Sequence, residues 1–106
     1  MPAKYIKNIL IEKPVISEVK ILSEFMLSFS LKSSSKNYIV YTPTSSEYLV
    51  SSDVVTKAIE KGANLVICEP WCQITGEGYK TAENGHKISV YPLGTFIRKI
   101  MSNEEL

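Results

Sequence analysis

Several hydroxyls, two carboxylates and the single tryptophan fall in loops between Thr42 and Thr75. Thr42, Ser45, Ser46 and Glu47 come first, then Glu69, Trp71 and Thr75. Hydroxyls and a carboxylate fix a ligand by hydrogen bonds, and an indole ring supplies an apolar face. Thr42, Ser45, Ser46, Glu69, Trp71 and Thr75 are therefore the candidate ligand-binding residues. The competing reading is plain turn and cap chemistry, which by itself accounts for Ser and Thr at such positions. Trp71 likewise has two readings, an exposed anchor or a ring that closes the core.

Cys68 and Cys72 stand at C-x₃-C spacing, with His86 the one histidine. Two thiols and a distant imidazole fall short of the four ligands of a structural zinc site. Cys68 reads better as a small core residue, and His86 as a turn residue. No metal or other cofactor is expected. The carboxylates Glu47, Asp53 and Glu69 would serve a metal-dependent hydrolase or nuclease only if they converged in one cleft. No catalytic residue is assigned: there is no G-x-S-x-G elbow, Thr75 to Gly78 is not a dinucleotide loop, and no G-K-[ST] occurs. Whether the chain is an enzyme stays open.

The 106 residues suit one α/β domain, 1–106, and carry a formal charge of +1. That balance gives no electrostatic case for nucleic acid or an anionic membrane. A nucleic-acid-binding module would have to use Lys32, Lys36, Arg98 and Lys99. The N-terminal MPAKYIKN lacks the parts of a signal peptide, and two cysteines agree with a reducing compartment, so a cytoplasmic location is the expectation.

The elements that must position these groups are organised around Ser51 to Trp71. Ser51 or Ser52 can cap a helix, Asp53 suits its positive end, and Val54, Val55, Ala58 and Ile59 form its apolar stripe. Gly62 supplies the left-handed residue that ends it. Leu65 to Cys68 is a short apolar run, the mark of a strand buried on both faces, and Pro70 stops it. Upstream, Ile9, Leu10 and Ile11 suggest a strand over 5–12, with a short helix as the alternative. Val15, Val19, Leu22, Met26 and Phe29 share one helical line, which predicts a helix over 15–29. Tyr38 to Tyr41 reads as a strand. Helices over 76–84 and 95–102, capped by Thr75 and Thr95, flank a strand over 87–91.

This alternation predicts a mostly parallel four-stranded sheet built of βα repeats, with helices on both faces. Ligands of such sheets bind outside the C-terminal ends of the strands. The loops Thr42–Val50, Glu69–Thr75 and Pro92–Thr95 should meet there. The apolar arc of the 15–29 helix is wider than a sheet face requires. Either neighbouring elements cover it, or a second copy docks on Val15, Ile16, Val19 and Leu27 as a homodimer.

Glu60 to Trp71, EKGANLVICEPW, resembles a stretch of a family of dinuclear-metal α/β proteins. Cys68 and Glu69 stand where that family has metal-binding histidines, so no metal site carries over. Gln73 to Ile100 is similar in rhythm to the tail of Mrr-type restriction endonucleases. Their magnesium site needs a carboxylate-x-lysine, and Tyr38 to Thr42, where it would fall, holds neither acid nor lysine. The function expected from the sequence is binding of a small molecule or a protein partner, without catalysis. The alternatives are a degenerate metal-dependent hydrolase or nuclease and a nucleic-acid-binding module.

Overall fold

The computed structural model describes residues 2–85, 88–104 and 106. In chain order it runs α1 (Pro2–Leu10), β1 (Ile16–Ser23), β2 (Met26–Leu31), β3 (Asn37–Tyr41), β4 (Leu49–Val50), α2 (Ser52–Glu60), β5 (Leu65–Cys68), β6 (Gln73–Ile74), α3 (Gly76–Gly85), β7 (Ser89–Pro92) and α4 (Leu93–Met101). The main sheet has five strands in the order β1-β2-β3-β5-β7, and β4 and β6 form a separate parallel pair. The β1–β2 and β2–β3 pairings are antiparallel, whereas β3–β5 and β5–β7 are parallel. The sheet is thus mixed, and not the mostly parallel four-stranded sheet the sequence suggests. The radius of gyration, 12.6 Å, is close to the roughly 13 Å of a single domain of this length.

Strand β5 organises the core. It lies between β3 and β7, and all four of its residues are buried. Its side chains alternate between two apolar layers, as a pleated strand requires. Leu65 and Ile67 join Ala3, Ile6 and Leu10 of α1 and Phe96 and Ile100 of α4 on one face. Val66 and Cys68 join Val54, Val55 and Ala58 of α2 and Ala82 of α3 on the other. Helices therefore cover both faces. Gly62 adopts φ +87°, the left-handed conformation expected of a residue that closes a helix.

Two predicted elements are overturned. The strand expected over 5–12 is the helix α1, so the alternative reading holds there. Ala3, Ile6 and Leu10 recur at helical spacing and are buried, whereas Ile11 is exposed. The consecutive isoleucines and leucine that suggested a strand divide between the two sides of a helix end.

The helix expected over 15–29 is instead the β1–β2 hairpin, turned at Glu24-Phe25. Its register slips between Ser17 and Lys20 and again between Ile21 and Ser23. Each slip inserts an extra residue and shifts the side-chain phase. Strict alternation is lost, and the apolar residues fall at spacings that imitate a helix. Leu27 and Ile16 are buried, and Val15 and Val19 pack on the same cluster. The residues that carried the predicted homodimer are thus part of this chain's own core and form no helical face. As the edge strand, β1 is blunted by these bulges and by Lys20, devices that discourage pairing with another sheet.

Helix termini also depart from expectation. Ser51 is the N-cap of α2, but its side chain makes no capping hydrogen bond. α4 begins at Leu93 behind Pro92, so Thr95 lies within the helix and not at its start. His86, read as a turn histidine, and Lys87, read as the start of the 87–91 strand, lie outside the described residues.

Candidate functional site

Residues from distant parts of the chain meet at the C-terminal ends of β3 and β5. β2 runs antiparallel to β3, so the β1–β2 turn reaches the end at which β3 finishes. Thr42, the first residue after β3, ties the two together. Its amide donates to the Phe25 carbonyl at 2.8 Å and its hydroxyl to the same oxygen at 2.9 Å. The first turn of α1 is tied in as well, through the Ala3 amide and the Glu24 carbonyl at 3.1 Å.

Glu47 holds the loop that follows. One carboxylate oxygen accepts from the Tyr41 hydroxyl at 2.6 Å and from the Thr44 amide at 2.8 Å. The other accepts from Lys57 on α2 at 3.0 Å. Lys57 also stands 5.7 Å from the centre of the Tyr41 ring, in cation–π range. Burial alone would raise the Glu47 carboxyl, but the hydrogen bonds from Thr44, Tyr41 and Lys57 outweigh it and hold the group below its usual range. Burial, then the bond to Glu47, pushes the Tyr41 phenol up, and the bond to Glu47 raises Lys57. Nothing in the sequence linked Tyr41 and Lys57 to Glu47. Their separation in the chain hides a cluster that only folding assembles.

After β5 the chain turns through Glu69, Pro70 and Trp71 and enters β6. Cys68 and Cys72 close this turn with a disulfide, their Cα atoms 5.9 Å apart, and the Cys72 amide donates to the Glu69 carbonyl at 3.0 Å. Cys68 is buried, as expected of a core residue, but it is also bonded, a pairing the sequence reading did not anticipate. The bridge holds Glu69 and Trp71 in a short loop. Trp71 is exposed and does not close the core.

These segments border an open, shallow cleft of about 460 Å³, lined by Pro2, Tyr5, Glu24, Phe25, Ser45, Glu69 and Trp71. Its volume lies within the range typical of small-molecule sites, about 300–1,000 Å³. Burial raises the Glu69 carboxyl above its ordinary value, partly opposed by hydrogen bonding from Trp71. Three further hollows lie elsewhere among the described residues, one of them, of about 280 Å³, beside Ser17, Glu18, Ser30 and Lys32. Another of about 130 Å³ is lined in part by Val15, Tyr38, Ile100 and Leu106, and an open one of about 520 Å³ by Asn37, Asn64, Ala82 and Ser89. None of the candidate residues lines any of the three.

Of the six candidates, Ser45, Glu69 and Trp71 reach the cleft. Thr42 is buried and engaged with Phe25. Ser46 is exposed and pairs with the Thr44 hydroxyl at 3.0 Å. Thr75 caps α3, accepting from the Gly78 amide at 3.0 Å, and its own hydroxyl lies 3.3 Å from the Val50 carbonyl. Turn and cap chemistry therefore accounts for these three. Of the loops expected to converge, Pro92–Thr95 contributes nothing, because α4 follows β7 directly. Tyr5, Glu24 and Phe25 take its place. They were missed because 5–12 was read as a strand and 15–29 as one helix, which hid both the α1 end and the hairpin turn.

Glu47, Asp53 and Glu69 do not meet: among the described residues no group of three or more His, Cys, Asp or Glu is placed to hold a metal ion. Arg98 and Lys99 are drawn to Glu104, at 3.4 Å and 3.7 Å, and Lys99 also lies 5.5 Å over the Tyr91 ring. Among the described residues no helix is long and apolar enough to cross a membrane. Comparison with protein families, with curated proteins and with solved structures finds no match for this chain.

Proposed function

We propose that this chain is a small binding protein, without catalysis of its own, whose ligand lies in the cleft between Tyr5 and Trp71. The observation that carries the reading is the meeting of four separate segments around that cleft. The start of α1, the Glu24-Phe25 turn, the β3–β4 loop and the β5–β6 loop each bring one or more side chains to it. Such convergence at the C-terminal ends of parallel strands is where open α/β sheets take ligands. Two aromatic residues there, Tyr5 and Trp71, are about half exposed, at 48% and 46%. Aromatic rings left in solvent beside a few polar groups suit a surface that binds. The hydrolase alternative loses ground, since Glu47 is engaged by Tyr41, Thr44 and Lys57.

The compartment suggested by the sequence is the cytoplasm. There the Cys68–Cys72 bond would be open to exchange with cellular thiols, and the Glu69–Trp71 loop would keep its place through the Cys72 amide and β6 pairing.

The test is a titration of isotope-labelled protein with a panel of small amines, carboxylates, phosphates, sugars and nucleosides. Saturable chemical-shift changes are expected at Tyr5, Phe25, Ser45, Glu69 and Trp71. Changes centred instead on Asn64, Ala82 and Ser89 would move the site to the opposite end of the sheet. No saturable change anywhere would remove the reading.

A further inference from the structure

We infer that Cys68 and Cys72 form a reversible switch, worked by small dithiols, that clips the Trp71 loop when oxidised and lets it open more often when reduced. This switch works whether or not the cleft takes a ligand. The two cysteines sit in unequal surroundings. Cys68 is the last residue of β5, the fully buried strand between β3 and β7. Cys72 leads into β6, a two-residue strand that pairs with the two-residue β4 outside the main sheet. The bond therefore ties a slight surface element to the centre of the fold.

Few other contacts fasten the loop. The Cys72 amide donates to the Glu69 carbonyl at 3.0 Å, that of Gln73 to Tyr48 at 2.7 Å and that of Thr75 to Val50 at 3.1 Å. Pro70, Trp71 and Gln73 are exposed, so little apolar burial backs these bonds. Segments with few buried contacts open locally far more often than a core does. A covalent closure opposes that opening by restricting the open chain. Cutting it should raise the open fraction about tenfold or more.

Burial of the sulfurs decides how the switch is worked. Cys68 and Cys72 are 2% and 7% exposed, among Val54, Val55, Ala58 and Val66. Exchange needs a thiolate to reach one sulfur while the other leaves as a thiolate, which apolar surroundings disfavour. A dithiol therefore reacts while the loop is open. Its first thiolate attacks Cys72 Sγ, the S–S bond breaks, and Cys68 leaves as a thiolate that takes a proton from water. The second sulfur, also as thiolate, then displaces Cys72 from the mixed disulfide. The reductant ends as a cyclic disulfide, having given up two electrons and two protons, and the protein holds two thiols. In the closed loop the two Cα atoms stand 5.9 Å apart, within the span of a disulfide. Oxidised glutathione can thus restore the bond without backbone rearrangement, itself ending as two thiols.

The experiment treats the full chain with dithiothreitol and then, after its removal, with oxidised glutathione. Acid-quenched samples, alkylated in denaturant and weighed by mass spectrometry, count the thiols. Amide hydrogen exchange followed by NMR reports opening. Two thiols should appear together and be lost together on reoxidation. Reduction of the native chain should be about tenfold or more slower than in urea. In the reduced protein the Cys72, Gln73 and Thr75 amides should exchange about tenfold or more faster, with Val66 in β5 unchanged. The double variant Cys68→Ala, Cys72→Ala should show the reduced rates with or without dithiothreitol.

Loop exchange that is equal in the two states would overturn the inference. Equal acceleration at Val66 would do the same, because the bond would then staple the whole fold. Thiols that stay free under oxidised glutathione, or that pair between chains, would remove the couple itself. Reduction as fast in the native chain as in urea would overturn the gating by the loop. A response of the double variant to dithiothreitol would also overturn the switch, since it keeps no cysteine.

Discussion

The Tyr41 hydroxyl donates a 2.6 Å hydrogen bond to Glu47 across the loop that leaves β3. The phenol sits on a buried residue at the end of the strand, and the carboxylate closes the loop back onto it. This bond, with Lys57 on the outer oxygen, links β3, the loop carrying Ser45, and α2. The cleft wall formed by Ser45 is therefore held from behind by a pair that makes no part of the cleft itself.

Tyr41→Phe should destabilise the protein by about 1.5 kcal/mol. That is the low end of the range for a hydrogen bond to a charged group, because Thr44 and Lys57 stay on the carboxylate. Urea denaturation measures it. Broadening of the Thr44 and Ser45 resonances should accompany the loss, since the loop has lost one anchor. An unchanged midpoint would show the bond to be replaceable by water.

The two partly buried carboxylates should act on stability with opposite sign. Glu47 is held below its ordinary range in the fold, so its stabilisation is present above the ordinary carboxyl value and fades as acid protonates it. Glu69 is raised by burial, so its ionised form is disfavoured in the fold and destabilises as pH rises through its folded value. At neutral pH Glu47→Gln should lower the thermal midpoint and Glu69→Gln should raise it. From about pH 5 down to about pH 3, Glu47→Gln should flatten the acid loss seen in the parent, and the advantage of Glu69→Gln should vanish. Midpoints recorded across that range for the three proteins check both signs.

Gly78→Ala should destabilise by about 1–3 kcal/mol, the usual cost of forcing extra atoms into a filled space. Helix propensity alone predicts the reverse, a gain of about 1 kcal/mol. The decisive fact is that a Cβ here would collide with the Val50 carbonyl oxygen. That oxygen belongs to the backbone of β4 and cannot rotate away. Gly76 has open space at the same test, so Gly76→Ala is the control. A stabilised Gly78→Ala variant would mean that α3 packs less closely on β4.

Glu18→Gly should stabilise by about 0.5–1 kcal/mol. Glu18 adopts φ +52° in the β1 bulge and is exposed. A left-handed L-residue costs about 1–2 kcal/mol, and glycine relieves that while returning part of it as unfolded-chain entropy. Glu18→Val, which is β-branched, should be clearly worse than the parent. Thermal midpoints of the pair test whether the bulge is held against its local preference.

The parts of this protein legible in the sequence are those with local causes. Gly62 and Pro70 bracket β5 by fixing or forbidding backbone angles within one residue. The stripe Val54-Val55-Ala58 and the uninterrupted Leu65–Cys68 run write the helix period and two-sided burial directly into the chain. Ser45, Glu69 and Trp71 could be singled out because they follow elements of that kind.

What the tertiary structure decided begins with the hairpin. Its bulges move apolar residues out of alternation, and Glu24-Phe25 lacks the glycine or asparagine that marks tight turns. Val15 to Phe29 thus satisfies a helical pattern locally, and only pairing with β3 and covering by α1 makes it two strands. The cleft depends on the same pairing. Glu24 and Phe25 reach Ser45 and Glu69 because β2 runs antiparallel to β3, while β5 runs parallel to it. The direction and register of strand pairing come from the free energy of burying whole layers. No short window of residues contains that quantity, so the sequence showed Ser45, Glu69 and Trp71, and folding supplied Pro2, Tyr5, Glu24 and Phe25.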